Sequence, residues 1–329
     1  MDAINQPAGS PVAAIVLSVE SLDRERRFYQ EVIGLEPSET ITLDGAAFRR
    51  HWGVAEGVTA RAVLLSGRSA VGRVLLLEFA GAGRLRVRRP EERRYYGNFS
   101  HVFYTADIAG ATRTIAARGY PAWTEPTRHE FGTSVGNVTE VVHDGPAGVP
   151  INLVQLDGAP DTVVGRMRRF VEAHGTTPTG FTEVASVALV TRDGPAAVRF
   201  YCDALGQTIL LDEDLEQPET NRFLCLPATA RTHVTYTQGG HDFGKVVVSQ
   251  PLNYDPPDRT GEAVAPNIGF LAMSFIVASI DSTLAAADVC GASLFSAPER
   301  ISLPGIGECQ AALIRVPGSG ALAHLVEAS

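Results

Sequence analysis

The fold of this chain is decided by the stretch RFYQEVIG at residues 27–34, which returns as RFYCDALG at residues 199–206. The two copies lie 172 residues apart, and the same offset links further pairs of segments. These pairs are Asp107-Ile108 with Ser279-Ile280, Gly119 with Gly291, and Asn152-Leu153-Val154 with His324-Leu325-Val326. A constant offset over such a distance predicts two halves with the same fold.

Each half divides again into two units of similar pattern. In the first unit an apolar strand at 12–19 precedes a helix that Ser21 caps and Gly34 ends. Further strands are predicted at 46–50, 59–66 and 73–79 in this unit, and at 101–106, 121–124, 140–143 and 150–156 around a helix at 108–118 in the next. The third and fourth units begin with strands at 185–190 and 271–277. The sequence therefore predicts an α+β fold of four βαβββ modules.

The same pattern predicts how the chain is organised into domains. Residues 1–156 form a first domain of two modules, and residues 181–329 form a second. Residues 157–180 are predicted to be a helical linker, because an apolar helical pattern around 167–173 ends at Gly175.

Composition narrows the classes of partner. A formal net charge of −9 on 329 residues argues against nucleic acid, and no apolar run approaches the roughly 18 residues of a membrane span. The N-terminus lacks the pattern of a signal peptide, and no phosphate-binding glycine motif precedes a helix. We therefore expect a cytoplasmic protein, a monomer or homodimer, that binds a small molecule and no nucleotide cofactor. Its 28 basic residues include one lysine, which is typical of a GC-rich bacterial genome.

One charged segment stands out. Six arginines lie within residues 84–94. Such a run is typical of a solvated connector, and the alternative is an anion-facing or interface loop.

The repeated Arg-Phe-Tyr-x4-Gly helix end, the Asp-Ile-x10-Gly segment and the closing strands resemble the vicinal oxygen chelate superfamily. That superfamily includes glyoxalases, bleomycin-resistance proteins and extradiol dioxygenases. The resemblance implies that modules pair into two half-open barrels. It also implies that metal ligands lie on the first and last strand of each module, where the superfamily usually has His, Gln or Glu.

The expected ligand positions hold an incomplete set of metal ligands. They are Ala14, Glu78, Ser100 and Asn152 in the first half, and Ser186, Gln250, Ala272 and His324 in the second. A shift of one residue would replace Ser100 by His101. Pairing of the first module with the fourth would bring Glu78 near His324. The resemblance thus implies either one divalent ion (Fe, Mn, Zn or Ni) on Glu78, His101 and His324, or no metal, and we favour none because alanine, serine and asparagine bind transition metals poorly or not at all.

The candidate catalytic pair is Glu78 and His101. Glu78 interrupts an apolar strand, where a buried carboxylate needs a partner or a function. The candidate substrate-binding residues are Asn152, Gln250, Tyr104 and Trp52. We expect a lyase, an isomerase or a ring-modifying enzyme for an apolar or aromatic oxygenated substrate. The alternatives are a metal-free binding protein of the bleomycin-resistance kind and a metal-dependent glyoxalase or extradiol dioxygenase.

Overall fold

The structure is a computed structural model that describes residues 9–328. It contains four similar units, as the sequence predicts. The elements of the first two units are β1 (Val12–Ser18), α1 (Leu22–Phe28), β2 (Glu36–Pro37), β3 (Ile41–Leu43), α2 (Gly45–Trp52), β4 (Thr59–Ser66), β5 (Arg73–Ala80), β6 (Gly97–Tyr104), α3 (Ile108–Ala117), β7 (Thr127–Glu130), β8 (Asn137–His143) and β9 (Ile151–Leu156).

The linker and the last two units follow. Their elements are α4 (Val163–His174), β10 (Ser186–Val190), α5 (Gly194–Arg199), β11 (Thr208–Leu215), α6 (Pro218–Phe223), β12 (Thr232–Gln238), β13 (Lys245–Pro251), β14 (Gly269–Ile276), α7 (Ile280–Val289), β15 (Ser293–Leu303), β16 (Gly307–Arg315) and β17 (Leu322–Ala328). The α+β fold and the helix within the linker are confirmed.

The repeated motif owes its shape to caps at both ends. The Ser21 hydroxyl accepts a hydrogen bond from the backbone N–H of Arg24, and the Asp193 carboxylate accepts one from that of Ala196. Each helix then widens into a π-helical turn, at Tyr29–Ile33 and at Phe200–Ala204. The first turn ends at Gly34, whose φ of 83° favours glycine.

The sheets pair units across the two halves of the chain. The nine-stranded sheet joins the first and fourth units through antiparallel β1 and β14, and the eight-stranded sheet joins the second and third through β6 and β10. The expectation that units of one half share a barrel is therefore wrong, and the alternative pairing of first with fourth is confirmed. Each sheet contains one unit from before the linker at 157–180 and one unit from after it. The domain boundaries at 156 and 181 therefore mark the two copies of the duplicated sequence, and they stay a prediction.

We call the concave side of the nine-stranded sheet the terminal cup and that of the eight-stranded sheet the central cup. The opposite faces of both sheets pack on α1, α3, α5 and α7 in one shared apolar core. Strands such as β5 are therefore buried on both faces, since Leu76 belongs to the shared core while Leu75 and Leu77 belong to the terminal cup.

Two predicted strands are absent from their expected places. Residues 46–50 lie in helix α2, because Phe48 and Trp52 fall on one helical face and both pack into the terminal cup. Residues 121–124 form an isolated bridge at Ala122, and the strand of that region is β7. Among residues 9–328 no helix is long and apolar enough to cross a membrane.

Candidate functional site

The terminal cup is filled by side chains. Phe48 and Trp52 of α2 pack against Phe79 within an apolar cluster that covers the concave face. His324 of β17 lies beneath them, fully buried, with its ring centroid 5.6 Å from that of Trp52. Trp52, predicted to bind substrate, is therefore part of a packed core.

The central cup contains a cavity of about 150 Å³. In the central cup, helix α6 takes the place that α2 has in the terminal cup. Gly53 follows α2 and Cys225 follows α6, the two residues are 172 apart, and both have positive φ (65° and 54°). The same offset pairs Phe48 with Thr220 and Trp52 with Leu224, and both of the smaller residues line the cavity. The central cup is less filled at these two places because α6 has the smaller side chains there, although Phe223 of the same helix is buried against the cavity.

The cavity wall is mainly apolar with a few polar groups. Ser100, Ser186 and Ser249 face the cavity from three neighbouring strands and are all more than nine-tenths buried. By the same offset, Ser186 and Ser249 correspond to Ala14 and Leu77 of the terminal cup. The apolar wall includes Phe99, Val102, Val138, Val154, Leu156, Val234 and Val247. A concave apolar site with a few convergent polar groups is typical of a small-molecule site.

One carboxylate lies in this wall beside an amide. Asn152 Nδ2 donates a hydrogen bond of 2.7 Å to Oε2 of Glu140, while Asn152 Oδ1 is buried without a hydrogen-bond partner among the described residues. Burial raises the pKa values of Tyr104 and Tyr236, and the negative charge of Glu140 adds to both shifts. The two phenols are protonated at neutral pH, and the Tyr104 hydroxyl donates a hydrogen bond of 3.8 Å to the sulfur of Met167.

The residues that line the cavity also include a histidine and an arginine. Nδ1 of His129 lies 3.3 Å from the hydroxyl of Thr220, and its buried Nε2 has no partner within residues 9–328. Arg94 is only 7% exposed, and its guanidinium carbon lies 5.4 Å from the ring centroid of Phe99.

Glu78 does not reach either cup. The inward-facing residues of β5 are Leu75, Leu77 and Phe79, so Glu78 faces the helix layer and is half-buried there. It forms an ion pair of 3.0 Å with Arg61. Gln250, its counterpart, also faces outward and receives a hydrogen bond of 3.1 Å from the backbone N–H of Gly194 at the start of α5.

His101 likewise faces the helix layer. Its Nε2 lies 3.2 Å from the Tyr29 hydroxyl in a fully buried hydrogen bond, and burial lowers the pKa of His101 to about 3. Glu78 belongs to the nine-stranded sheet and His101 to the eight-stranded sheet. The structure therefore does not bring the predicted catalytic pair together in one cup, whereas Tyr104 and Asn152 both line the cavity.

The sequence predictions missed Glu140, Arg94 and His129 as site residues. A usable signal existed in the repeat, since apolar residues of one copy are replaced by hydroxyl groups in the other, as at Ala14 and Ser186. Glu140 carries the same signal, because the 172-residue offset pairs it with Ala312 and the strand register pairs it with Ala311, so the other copy has an alanine in either case.

Comparison with known proteins agrees with this architecture. Residues 12–153 match the model of the Glyoxalase/Bleomycin resistance protein/Dioxygenase superfamily. By sequence the first half of the chain therefore resembles the vicinal oxygen chelate superfamily. No protein of curated function matches it by sequence.

Solved structures of the superfamily share the fold over nearly the whole chain. Glyoxalase I from Zea mays is 16% identical with a TM-score of 0.62, over 97% of this chain and 92% of that chain. A mutant of the same enzyme is 15% identical with a TM-score of 0.64, over 97% of this chain and 94% of that chain. A provisionally assigned dioxygenase from Bacillus subtilis is 12% identical with a TM-score of 0.56, over 98% of this chain and 86% of that chain. At these identities the likeness concerns the fold.

The superfamily's usual metal does not fit the residues at the ligand positions. Strand register aligns Leu75 and Val247, rather than Glu78 and Gln250, with His324 and Asn152. The ligand positions are then Ser100, Asn152, Ser186 and Val247 in the central cup, and Ala14, Leu75, Ala272 and His324 in the terminal cup. Each set lacks the three or more good donors that a firmly held divalent ion requires. The predicted ligands Glu78, His101 and His324 lie apart, and residues 9–328 contain no cluster of three or more His, Cys, Asp or Glu able to hold a metal ion.

Proposed function

We propose that this superfamily member binds a small, mainly apolar, oxygenated organic molecule in the central cup without the superfamily's metal ion. The observation that carries the proposal is the contrast between two cups of the same fold. One is filled by Phe48 and Trp52, and the other has Thr220 and Leu224 at the same places and a cavity beneath them. Selection for packing alone favours filling such a cavity, since voids cost stability.

The polar groups of the cavity support recognition of oxygen atoms. Three serine hydroxyls and the protonated phenol of Tyr236 can donate hydrogen bonds from a wall that is mainly apolar. In relatives the metal ion binds the ligand's oxygen atoms. In this chain two of the positions that hold metal ligands in relatives are the serines Ser100 and Ser186, which have hydroxyl groups. Hydrogen bonds would then orient the ligand in place of metal coordination.

A second candidate function is enzymatic. Glu140 is a carboxylate inside the cavity wall, oriented by its 2.7 Å hydrogen bond with Asn152. A positioned carboxylate can accept a proton from a bound substrate, which is the step that a lyase or an isomerase requires. In this version of the proposal Glu140 replaces Glu78 as the general base.

The proposed function is tested with a neutral apolar probe. We expect 4-fluorocinnamamide to bind the purified full chain with a stoichiometry of one, detected by ¹⁹F NMR, and we expect binding to be unchanged by EDTA. A divalent-ion requirement would overturn the metal-free site. Absence of any binding would overturn the small-molecule site itself.

A further inference from the structure

We infer that the central cup takes a ligand with a carboxylate group, and that Arg94 is the residue that binds this group. The inference rests on the proposed function and adds the chemical class of the ligand. Its starting point is that Arg94 lines the cavity while only 7% of it is exposed.

Arg94 differs from the other arginines of the connector at residues 84–94. Arg86, Arg88, Arg89 and Arg93 form ion pairs with carboxylates at 2.8 to 3.5 Å, and Arg84 donates to the backbone oxygen of Val19. These contacts hold the connector to the turn after β1, to the loop before β14 and to the loop after β8. These five arginines are therefore bound to the rest of the protein, which differs from a connector surrounded by solvent.

Within residues 9–328 Arg94 has no ion pair, and its buried Nε has no hydrogen-bond partner. Its contact with the Phe99 ring offsets part of the cost of removing the charge from water. A buried guanidinium nevertheless costs free energy unless it is paired. A ligand anion in the cavity would supply the missing partner, and the planar fork of arginine matches the two oxygens of a carboxylate.

The charges of the cavity disfavour a ligand with two negative charges. Glu140 and Glu213 also line the cavity, so two carboxylates face one guanidinium. A dianion would meet this negative potential with twice the repulsion of a single charge. A ligand with one negative charge therefore meets less repulsion than a dianion, and a single carboxylate is enough to pair with Arg94.

The arrangement also orients the ligand. Arg94 packs on Phe99 near the start of β6, while Glu140 lies beside Val154, which pairs with Tyr104 at the end of β6. The Glu140 carboxylate is hydrogen-bonded to Asn152, which pairs with Val102. Phe99 and Val102 are separated by about 10 Å of extended strand. The ligand carboxylate therefore lies at the Arg94 end, and an apolar body extends towards Glu140.

The test compares a carboxylate with its neutral amide on the full chain. ¹⁹F NMR titrations use 4-fluorocinnamate and 4-fluorocinnamamide, which differ only at the group that Arg94 is inferred to bind. In the wild type we expect the acid to bind about tenfold or more tightly than the amide, as a charge-assisted hydrogen-bond pair implies. Arg94→Met should abolish this preference and leave the amide affinity within about twofold, since the apolar stem is retained.

Two further variants keep the test sharp. Arg93→Met removes a neighbouring charge outside the cavity wall and should leave both affinities unchanged. Arg94→Lys keeps the positive charge but loses the planar guanidinium that matches both carboxylate oxygens, so it should retain part of the preference for the acid over the amide. This variant keeps the test decisive if Arg94→Met does not fold. Equal wild-type binding of acid and amide, or a preference that survives in both Arg94 variants, overturns the inference alone. Binding of neither probe overturns the proposed function together with it.

Discussion

Asn152 donates a hydrogen bond of 2.7 Å to Glu140 across the wall of the central cup, and its own side-chain oxygen is buried with no hydrogen-bond partner among residues 9–328. The pair thus has one defined hydrogen bond inside the protein and one buried acceptor that this bond does not satisfy. At the corresponding positions of the terminal cup the register places His324 and Ala311. Glu140 has no acidic counterpart there, so the two cups differ in chemistry as well as in packing.

Glu140→Gln tests whether this carboxylate contacts the ligand. We expect the variant to bind 4-fluorobenzyl alcohol about tenfold more weakly, because a hydrogen bond to a charged acceptor is worth about 1.5–3 kcal/mol. Binding of 4-fluorotoluene, which has no hydroxyl donor, should not change. Glu78→Gln is the matched control, since Glu78 faces the helix layer, and it should affect neither probe. An effect of Glu78→Gln in place of Glu140→Gln would contradict the assignment.

The stability of a Trp52→Ala variant tests whether the terminal cup is a packed core. Trp52→Ala should lower the free energy of unfolding in urea by about 3–5 kcal/mol, the usual cost of removing a large buried aromatic side chain. Leu224→Ala, at the corresponding place beside the cavity, should cost under about 1.5 kcal/mol because Leu224 is half-buried. Similar losses for the two variants would show that the cups do not differ in packing.

Buried histidines predict a loss of stability in mild acid. Burial lowers the pKa of His51 and that of His101 to about 3, against about 6.5 in an unfolded chain. Below pH 6.5 the unfolded chain therefore binds protons that the folded chain does not. The stability contributed by each group is complete above that pH and falls by about 1.4 kcal/mol per pH unit as the pH decreases towards 3.

Urea unfolding at pH 7 and pH 5.5 measures this effect. His101→Leu should reduce the loss between the two values by about 1 kcal/mol. His233→Gln is the control, because hydrogen bonding to Asp214 raises the pKa of His233 and its removal should not reduce the loss. An unchanged loss in His101→Leu would show that His101 is protonated in the folded protein.

Much of the fold could be predicted from the 172-residue repeat, and the helix ends at Gly34 and Gly206 show why. A glycine that ends a helix at positive φ is a local feature, and local features can be identified in a sequence. The pairing of units depends on contacts between distant segments with nearly identical patterns. The repeat itself therefore leaves two pairings open, and only the structure distinguishes them.

The direction of Glu78 could not be predicted for a related reason. An alternating strand reveals its buried face, but residues 74–77 of β5 are apolar without a break because helices cover one face and the terminal cup the other. The pattern therefore contains no information about which face Glu78 occupies. The cavity was hidden as well, because it depends on how the side chains of α6 compare with those of α2, a segment that the sequence pattern assigned to a strand.

The central claim is that the central cup binds a small molecule because α6 leaves it open. Its most direct test is the double variant Thr220→Phe/Leu224→Trp, which places the side chains of Phe48 and Trp52 at the corresponding positions. Val289→Trp, at a position that is 82% exposed, controls for the added aromatic. We predict that the double variant stays folded and no longer binds 4-fluorocinnamamide, while wild type and Val289→Trp bind one equivalent. Wild-type affinity in a folded double variant would contradict the claim.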